Sequence, residues 1–406
     1  MRFPLTFLTL LLCAWIFPQT ALSADDAPNA TESKAESTGA IVKPADDTKN
    51  ETVPDVIVFP LPKSDADSAP EPQIIVVPPK PSRIALLLPL KSATFGRAAE
   101  AVKEGFLAAS QVAGAESNLP IEIYDSEEGS KNLLPIYNRI LGDDARIVVG
   151  PMTRSEVTTI AKSGMVTAPT LALNVPEGDN LALPAMFYSL NLSQESEARQ
   201  LANIAFVRGQ RRAAIVTTAA ALPKRIQVAF ADEWLKLGAT TTLEFVFNAD
   251  PKSLVEFRTA LKAQQVDVVF IATDALIARK IRPYIRGNLP TYATSQVFRS
   301  KNDAALNIDL KDLHFVDMPW LITPDHAAVM VYPQPKKSMT AELQRFYALG
   351  IDAYRIAQQL LRNQMPLTEP IDGVSGRISL SAGHWFTREL LPATFDQTGS
   401  VKQQAP

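Results

Sequence analysis

From Ser82 onward the chain alternates apolar runs of strand length with segments of helical spacing, and this alternation constrains the fold more than any other feature. The first series has strand-like runs at 84–88, 121–124, 147–149 and 170–173, with helix-like segments between them at 98–111, 133–141 and 155–163. Strands alternating with helices in this way are typical of βαβ units, which build a parallel sheet covered by helices. The first series therefore predicts one α/β lobe.

A second series with the same alternation begins near Ser193. Its strand-like runs lie at 213–217, 241–247, 266–272 and 291–294, and its helix-like segments at 195–207, 224–237, 254–263 and 275–286. Two successive lobes explain the two series better than one long sheet. We therefore predict an α/β fold of two lobes, each a mostly parallel sheet covered by helices.

The first 24 residues have the pattern of an export signal. Arg2 precedes an apolar run at 3–17, and small residues follow at positions 21, 23 and 24. Such a leader is removed on export. We therefore expect residues 1–24 to be a signal peptide, the mature chain to begin near Asp25, and the protein to reside in the periplasm.

The single cysteine, Cys13, is a candidate for a lipid anchor in the outer membrane. A lipoprotein signal has a small residue immediately before its cysteine, and here Leu12 stands in that place. We therefore expect no lipid anchor. Removal of the leader would leave a mature chain without a cysteine for a disulfide, a thiolate metal site or a nucleophile.

Residues 25–82 are rich in Pro, Asp, Ala, Lys and Ser and poor in aromatic residues. Such a segment buries too little apolar surface to offset the entropy of ordering, so we predict a disordered linker there. Residues 396–406 are predicted to be a disordered tail. Two apolar islets, VPDVIVFPLP and PQIIVVPP, interrupt the linker. They are either unpaired linker residues or strands that add to a sheet edge of this protein or of a partner.

The charge balance argues against a nucleic-acid partner. The 406 residues carry 40 Lys and Arg against 43 Asp and Glu, a net charge of -3, so no basic excess is present to neutralise phosphates. Beyond the leader, no apolar segment reaches the ~20 residues needed to span a bilayer.

The motifs of common catalytic and cofactor sites are missing from the sequence. The turn after the first strand has one glycine, Gly96, and no G-x-G-x-x-G; no Gly-Lys pair and no G-x-S-x-G occurs anywhere. His314, His326 and His384 stand apart, without metal-ligand spacing. The sequence therefore predicts no catalytic residue, no cofactor and no metal site.

The best candidates for a binding cleft are residues in the turns at the carboxyl ends of strands, where α/β sheets bind ligands. The free amides of a helix N-terminus with Thr153 and Ser155 beside them can hold a carboxylate, although plain helix capping is favoured. Asp274 can likewise face a ligand amine or cap the following helix. The candidate cleft-lining residues are Leu90, Thr153, Ser155, Thr170, Asn174 and Asp274.

The apolar stretch at 171–173 lies within this candidate cleft and offers methyl groups where a zwitterion needs hydroxyls. A buried carboxylate without partners costs several kcal/mol. The sequence therefore disfavours a small-molecule ligand.

Six motifs between residues 83 and 381 occur in a recognisable order: RIALLLPL, IVVGPM, LPTYATSQVF, LHFVDMPWLIT, YALGIDAYRIAQQL and GVSGRISLS. Together they resemble the C-terminal domain of the LppC (LpoA) family of penicillin-binding protein activators. The likeness covers about 83–395. It implies a fold like a type I periplasmic-binding protein, with two lobes joined by three crossover segments. Lobe 1 would comprise about 83–190 and 319–364, and lobe 2 about 191–318 with the tail 371–395.

The resemblance also implies a function. It suggests a non-enzymatic periplasmic regulator that activates a class A penicillin-binding protein, a peptidoglycan synthase, by direct protein contact. Long family members carry an N-terminal helical-repeat domain, whereas 25–82 offers only a linker here, so the chain resembles a short form. The alternative is a solute-binding protein that delivers an amino-acid-type molecule to a transporter. A hydrolase ranks third because the sequence shows no nucleophile and base.

Overall fold

The computed structural model describes residues 82–114, 119–127, 131–178, 181–248, 250–362 and 369–404. All of them belong to one unit, Val76–Pro406. The predicted signal peptide, Cys13 and the two apolar islets lie outside the described residues. None of the helices described here is long and apolar enough to cross a membrane.

The first half of the chain builds one α/β lobe in the order that the sequence pattern predicts. Its elements are β1 (Arg83–Leu88), α1 (Gly96–Ala113), β2 (Ile121–Asp125), α2 (Leu133–Gly142), β3 (Ala145–Val149), α3 (Arg154–Lys162), β4 (Thr170–Ala172) and β5 (Phe187–Leu190). Strands β1, β3 and β4 are apolar runs rather than alternating ones because both faces of the sheet are covered.

The second lobe repeats the pattern. Its elements are α4 (Gln194–Val207), β6 (Arg212–Thr218), α5 (Ala221–Lys236), β7 (Thr240–Phe247), α6 (Pro251–Ala263), β8 (Val268–Ile271), α7 (Ala275–Ile281), β9 (Thr291–Ala293), α8 (Ala304–Asn307) and β10 (Leu313–Asp317). Four short 3-10 turns also lie between α7 and β10 in the described part of the chain. The predicted helix at 275–286 ends early, because Pro283 breaks the α-helical hydrogen bonding and a single 3-10 turn follows.

The rest of the chain returns to both sheets. Its elements are α9 (Pro319–Ile322), α10 (Ala327–Met330), α11 (Ala341–Leu361), β11 (Ile371–Gly373), β12 (Gly376–Ser381), β13 (Trp385–Glu389), β14 (Leu391–Phe395) and β15 (Val401–Gln403).

The two sheets share one strand order in their parallel parts. The first sheet runs β11-β12-β13-β5-β4-β3-β1-β2, and the second runs β15-β14-β10-β9-β8-β6-β7. In both, the strand first in sequence lies second from the edge, and the order reverses beside it, which is the 2-1-3-4-5 order of doubly wound sheets. The predicted fold class is confirmed: two mostly parallel sheets, each covered by helices.

The prediction for the C-terminal tail is wrong for most of its length. Residues 371–389 were assigned to the second lobe, but β11, β12 and β13 extend the first sheet, where β13 pairs in parallel with β5. Of the four strands within 371–395, only β14 joins the second sheet, where it is antiparallel to β10. The predicted disordered tail at 396–406 is also wrong up to Gln404, because β15 pairs with β14 and the Gln404 amide donates to the Pro392 carbonyl at 2.8 Å.

Helices α1 and α11 cross in direct backbone contact on the first lobe. A Cβ atom built on Gly105 would lie 1.9 Å from the carbonyl oxygen of Tyr347, and one built on Gly350 would lie 2.1 Å from that of Val102. Phe106 and Tyr354 close the crossing with rings 5.2 Å apart at 85°. The crossing therefore requires glycine at both positions.

The chain passes between the lobes three times, at 191–193 between β5 and α4, at Met318 between β10 and α9, and at Leu390 between β13 and β14. These passages are the three crossover segments that the resemblance implies. They make the junction of the lobes a hinge of three parallel connections.

Candidate functional site

The turn after β3 holds two of the predicted site residues, and both serve the start of α3. The Thr153 hydroxyl accepts a hydrogen bond from the amide of Glu156 at 3.4 Å, and the Glu156 carboxylate accepts one from the amide of Thr153 at 3.2 Å. This reciprocal pair is a capping box. Ser155 is exposed, and its Oγ lies 3.3 Å from that of Thr153. Thr153 therefore caps a helix, as the favoured interpretation of the sequence had it.

Gly150 begins the same turn, and its geometry admits no side chain. Its φ is +108°, and a Cβ atom there would lie 1.9 Å from the carbonyl oxygen of Leu87. Only glycine lets β3 leave the sheet this close to β1. The turn is thus shaped by packing between neighbouring strands.

Thr170 begins β4, and Asn174 follows the end of that strand. Thr170 is fully buried, and its hydroxyl lies 2.7 Å from that of Tyr137 on α2, so the prediction that it lines the cleft is wrong. Asn174 is half-buried, and its amide group donates to the Met152 carbonyl at 3.0 Å.

Leu90 and Asp274 also have structural roles. Leu90 is half-buried and packs against the main apolar core, while Asp274 is exposed and caps α7 by accepting a hydrogen bond from the Ile277 amide at 3.0 Å. Neither residue lines the large cavity beside the hinge, and the same holds for Thr153 and Ser155. Of the six predicted residues, only Asn174 lines it.

This cavity has a volume of about 1310 Å³ and is open to solvent on one side. We call it the lateral groove. Its second-lobe wall consists mainly of residues on α4 and α5, and its first-lobe wall includes Arg154, Asn174, Pro176 and the consecutive residues 385–388 of β13. The groove therefore lies along the crossovers and the flanks of two helices rather than at the predicted turns alone.

The hinge beside the groove is built around a buried carboxylate, Glu197 on α4, which is 4% exposed. Its oxygens accept hydrogen bonds from the amide of Ser295 at 2.8 Å, from the hydroxyl of Ser295 at 3.0 Å and from the side-chain amide of Gln194 at 3.3 Å. Burial, followed by repulsion from Asp317, raises the pKa of Glu197 to about 7.

Arg345 on α11 forms the second part of the hinge cluster. Its guanidinium binds both oxygens of Asp317, the last residue of β10, at 3.0 and 2.6 Å. The same group donates to the carbonyls of Ser295 and Phe298, each at 3.0 Å. Burial lowers the pKa of Arg345, but Asp317, Glu197 and Glu342 together outweigh burial and raise that pKa. This first turn of α11 is thereby fixed to the second lobe, while the rest of the helix packs on α1 in the first.

The third crossover is held from both lobes. Gln200 on α4 forms two hydrogen bonds with the backbone of Leu390, donating to its carbonyl at 2.8 Å and accepting from its amide at 3.1 Å. Arg388 donates to the carbonyls of Asn191 at 2.8 Å and Ser375 at 2.7 Å, which ties the first crossover to the third. Together, these bonds set the angle between the lobes.

Sequence reasoning missed this hinge cluster. Ser295 lies 98 residues after Glu197 and Arg345 lies 28 residues after Asp317, so no local motif joins Glu197, Asp317 and Arg345. One signal was present. Glu197 precedes Leu201 by four residues and Arg345 precedes Leu349 by four, so each charge falls on the apolar face of its helix. A charge in that place is rarely buried without a partner.

The described residues contain no group of three side chains that could hold a metal ion. His314, His326 and His384 are engaged separately, with Gln404, with the first turn of α10 and with the Pro184 carbonyl. The hinge cluster and the crossovers position the two lobes against each other and leave a groove along their junction.

Two lobes of equal strand order, three crossovers and a groove at the hinge define a fold like that of periplasmic-binding proteins. A structure described as a "putative branched-chain amino acid ABC transporter" from Chromobacterium violaceum has a TM-score of 0.67 and 34% identity, covering 77% of this chain and 99% of that one. The LpoA C-domain from Haemophilus influenzae, "a regulator of PBP1A", has a TM-score of 0.67 and 19% identity, covering 80% of this chain and 100% of that one.

The family follows from the sequence. The family model described as "LppC putative lipoprotein" matches residues 76–398, so this chain belongs to the LppC family, and the resemblance noted from its motifs is confirmed. A curated relative, the penicillin-binding protein activator LpoA of Pantoea ananatis, is 25% identical over an alignment of 318 positions that covers 68% of this chain and 46% of that protein. The chain thus spans about half the length of the curated relatives it matches.

Proposed function

We propose that this protein is a non-enzymatic regulator in the periplasm that activates a class A penicillin-binding protein by direct contact. The observation that carries the proposal is the extent of the family match, which includes both lobes and all three crossovers. The curated relatives are named as activators of a penicillin-binding protein rather than as enzymes. Thr153 and Asp274, two candidate ligand-binding residues, support the same proposal, because their side chains cap helices and so serve the fold.

Glycan polymerisation by a purified class A penicillin-binding protein from the same organism tests the proposal. The full chain should raise the polymerisation rate, and a form lacking residues 53–79, which contain both apolar islets, should raise it equally. The reason is that every family-like motif lies outside 53–79. An inactive deletion form beside an active full chain would assign the contact to the islets, by strand addition. No stimulation by either form would refute the proposed function.

A solute-binding role is the second candidate, and the 34% identical structure favours it, because that protein is described as a branched-chain amino acid transporter. A pull-down from a membrane extract separates the two functions. Recovery of a peptidoglycan synthase supports activation, and recovery of a permease supports transport.

Localisation and lipidation have their own test. The family description contains the word lipoprotein, whereas Leu12 before Cys13 led us to expect no lipid anchor. Mass spectrometry of the native protein should give a chain that begins near Asp25 without a diacylglyceryl group. A lipid on Cys13 would overturn that expectation.

A further inference from the structure

The lateral groove carries more positive than negative charge. Eight ionisable side chains line it: the cations Arg154, Arg199, Lys224, Arg225 and Arg388, and the anions Glu195, Glu197 and Asp232. A groove with such a balance attracts negative charge, and the effect depends on which of these groups are already engaged.

Several of the charges are taken up within the protein. Arg225 binds Glu195 at 2.8 Å, and Glu197 is held by Ser295 inside the hinge. Arg388 donates to two backbone carbonyls, and burial lowers its pKa. Arg388 joins two crossovers, and the Arg225–Glu195 pair joins α5 to α4. These groups therefore add little to the attraction between the groove and a charged partner.

The remaining cations lie on both walls of the groove. Arg199 on α4 and Lys224 on α5 are exposed, and no carboxylate of the described residues lies within salt-bridge distance of either. On the other wall, Arg154 donates one hydrogen bond to the Pro176 carbonyl at 3.1 Å, while its Nε is buried and has no hydrogen-bond partner in the described part of the chain. Among the described residues that line the groove, Asp232 is the one anion left to oppose these three cations.

Apolar side chains accompany the cations. Val228, one turn after Lys224 on α5, is 55% exposed, and Trp385 of β13 is half-buried on the facing wall. An exposed apolar side chain next to unpaired cations is typical of a surface that binds acidic residues together with an apolar one. The volume of about 1310 Å³ exceeds the 300–1,000 Å³ usual for small-molecule pockets, which favours a polypeptide segment.

We propose that the lateral groove docks an extended acidic segment of a partner protein, whose carboxylates meet Arg199, Lys224 and Arg154 and whose apolar side chain packs on Val228. The proposal rests on the proposed function for the identity of the partner, the class A synthase. It adds where on this chain that contact is made and which chemistry the synthase presents there.

Charge reversal tests the groove directly. The variant R199E/K224E should bind the purified synthase at least about tenfold more weakly than the unchanged protein near 0.1 M salt, because like charges across an interface repel. The matched control is R258E/K262E on α6, which changes the net charge equally with two exposed cations outside the groove. Equal losses in the two variants would overturn the proposal.

A photocrosslinking residue at Val228 identifies the occupant. The expected adduct joins Val228 to a synthase peptide that contains several Asp or Glu residues, as read by mass spectrometry. A photocrosslinking residue at Arg258 on α6 is the control. An adduct at 228 with a neutral or basic peptide, or an adduct at 258 but not at 228, would overturn the proposal.

The failure of this proposal can be told from failure of the proposed function. If the unchanged protein does not stimulate the synthase, the function is wrong; if it does and R199E/K224E stimulates equally, only the groove assignment is wrong.

Inorganic phosphate at 10 mM serves as a probe for a small anionic ligand. A melting-temperature rise with phosphate that R199E/K224E abolishes, with synthase binding unchanged, would assign the groove to a small anion and overturn the docking of a segment.

Discussion

Glu197 gives the hinge a dependence on pH. Its pKa rises from 4.5 to about 7 in the folded protein, so between these values the folded state binds more protons than the unfolded state. The stability that this carboxyl contributes is therefore largest below about pH 4.5 and is lost as the pH rises through 7. The shift corresponds to about 3 kcal/mol. We expect E197Q, which keeps an oxygen for the Ser295 amide, to flatten the pH dependence of unfolding between pH 5 and 8.

Glu195→Gln on the same helix is the control for this prediction. Burial raises the pKa of Glu195, but the hydrogen bond and charge of Arg225, together with hydrogen bonds from the Glu195 amide and from Ser193, outweigh burial and lower the pKa. A lowered pKa affects stability only at acid pH, so E195Q should leave the profile from pH 5 to 8 parallel to that of the unchanged protein. Urea unfolding at four pH values measures both variants. An E197Q profile parallel to the unchanged protein would show that Glu197 does not titrate in this range.

At the scale of elements, the crossing of α1 and α11 makes a prediction about backbone contact. Gly350→Ala places a methyl group 2.1 Å from the Val102 carbonyl oxygen, so the two helices must separate. We expect the free energy of unfolding to fall by about 1–3 kcal/mol, as for other overpacked sites. Urea denaturation measures the change.

Gly142→Ala is the matched control for the crossing. Gly142 ends α2, and a Cβ atom built there meets no heavy atom within 4 Å. Alanine at that position should leave stability unchanged or raise it by a few tenths of a kcal/mol. Equal effects of the two substitutions would contradict the close contact between α1 and α11.

The elements also show where sequence reasoning succeeded and where it failed. Strands such as β1 and β8 are buried on both faces, so they appear in the sequence as short apolar runs that periodicity detects. Strands β11 to β15 extend the two sheets at one end and mix polar with apolar residues, so nothing in their sequence says which sheet they join. At the turn after β3, the cap at Thr153 follows from the local sequence, whereas the close packing of Gly150 against Leu87 depends on contact between neighbouring strands.

At the scale of the whole molecule, the candidate cleft residues already make hydrogen bonds within the protein, so we expect common metabolites not to bind there. The Thr153 hydroxyl is used by the α3 cap, the Asn174 amide by Met152, and the stretch 171–173 is buried and apolar. A ligand at a hundredfold excess over its dissociation constant stabilises a protein by about 2.7 kcal/mol, which shifts its melting temperature measurably. We expect no shift with the twenty amino acids or with nucleotides. A clear shift with leucine, isoleucine or valine would favour the solute-binding role instead.

The division of the last strands between the two sheets has a consequence for how the newly synthesised chain folds. Strand β13 fills the place beside β5, and β14 fills the place beside β10, with only Leu390 between them. A chain that emerges N-terminus first therefore exposes a raw edge on each half until its final stretch arrives. Strands with unpaired backbone groups can pair with other chains, so the incomplete polypeptide is prone to aggregate until its last strands are available. The arrival of eleven residues, 385–395, closes both edges almost at once and synchronises the completion of the two halves.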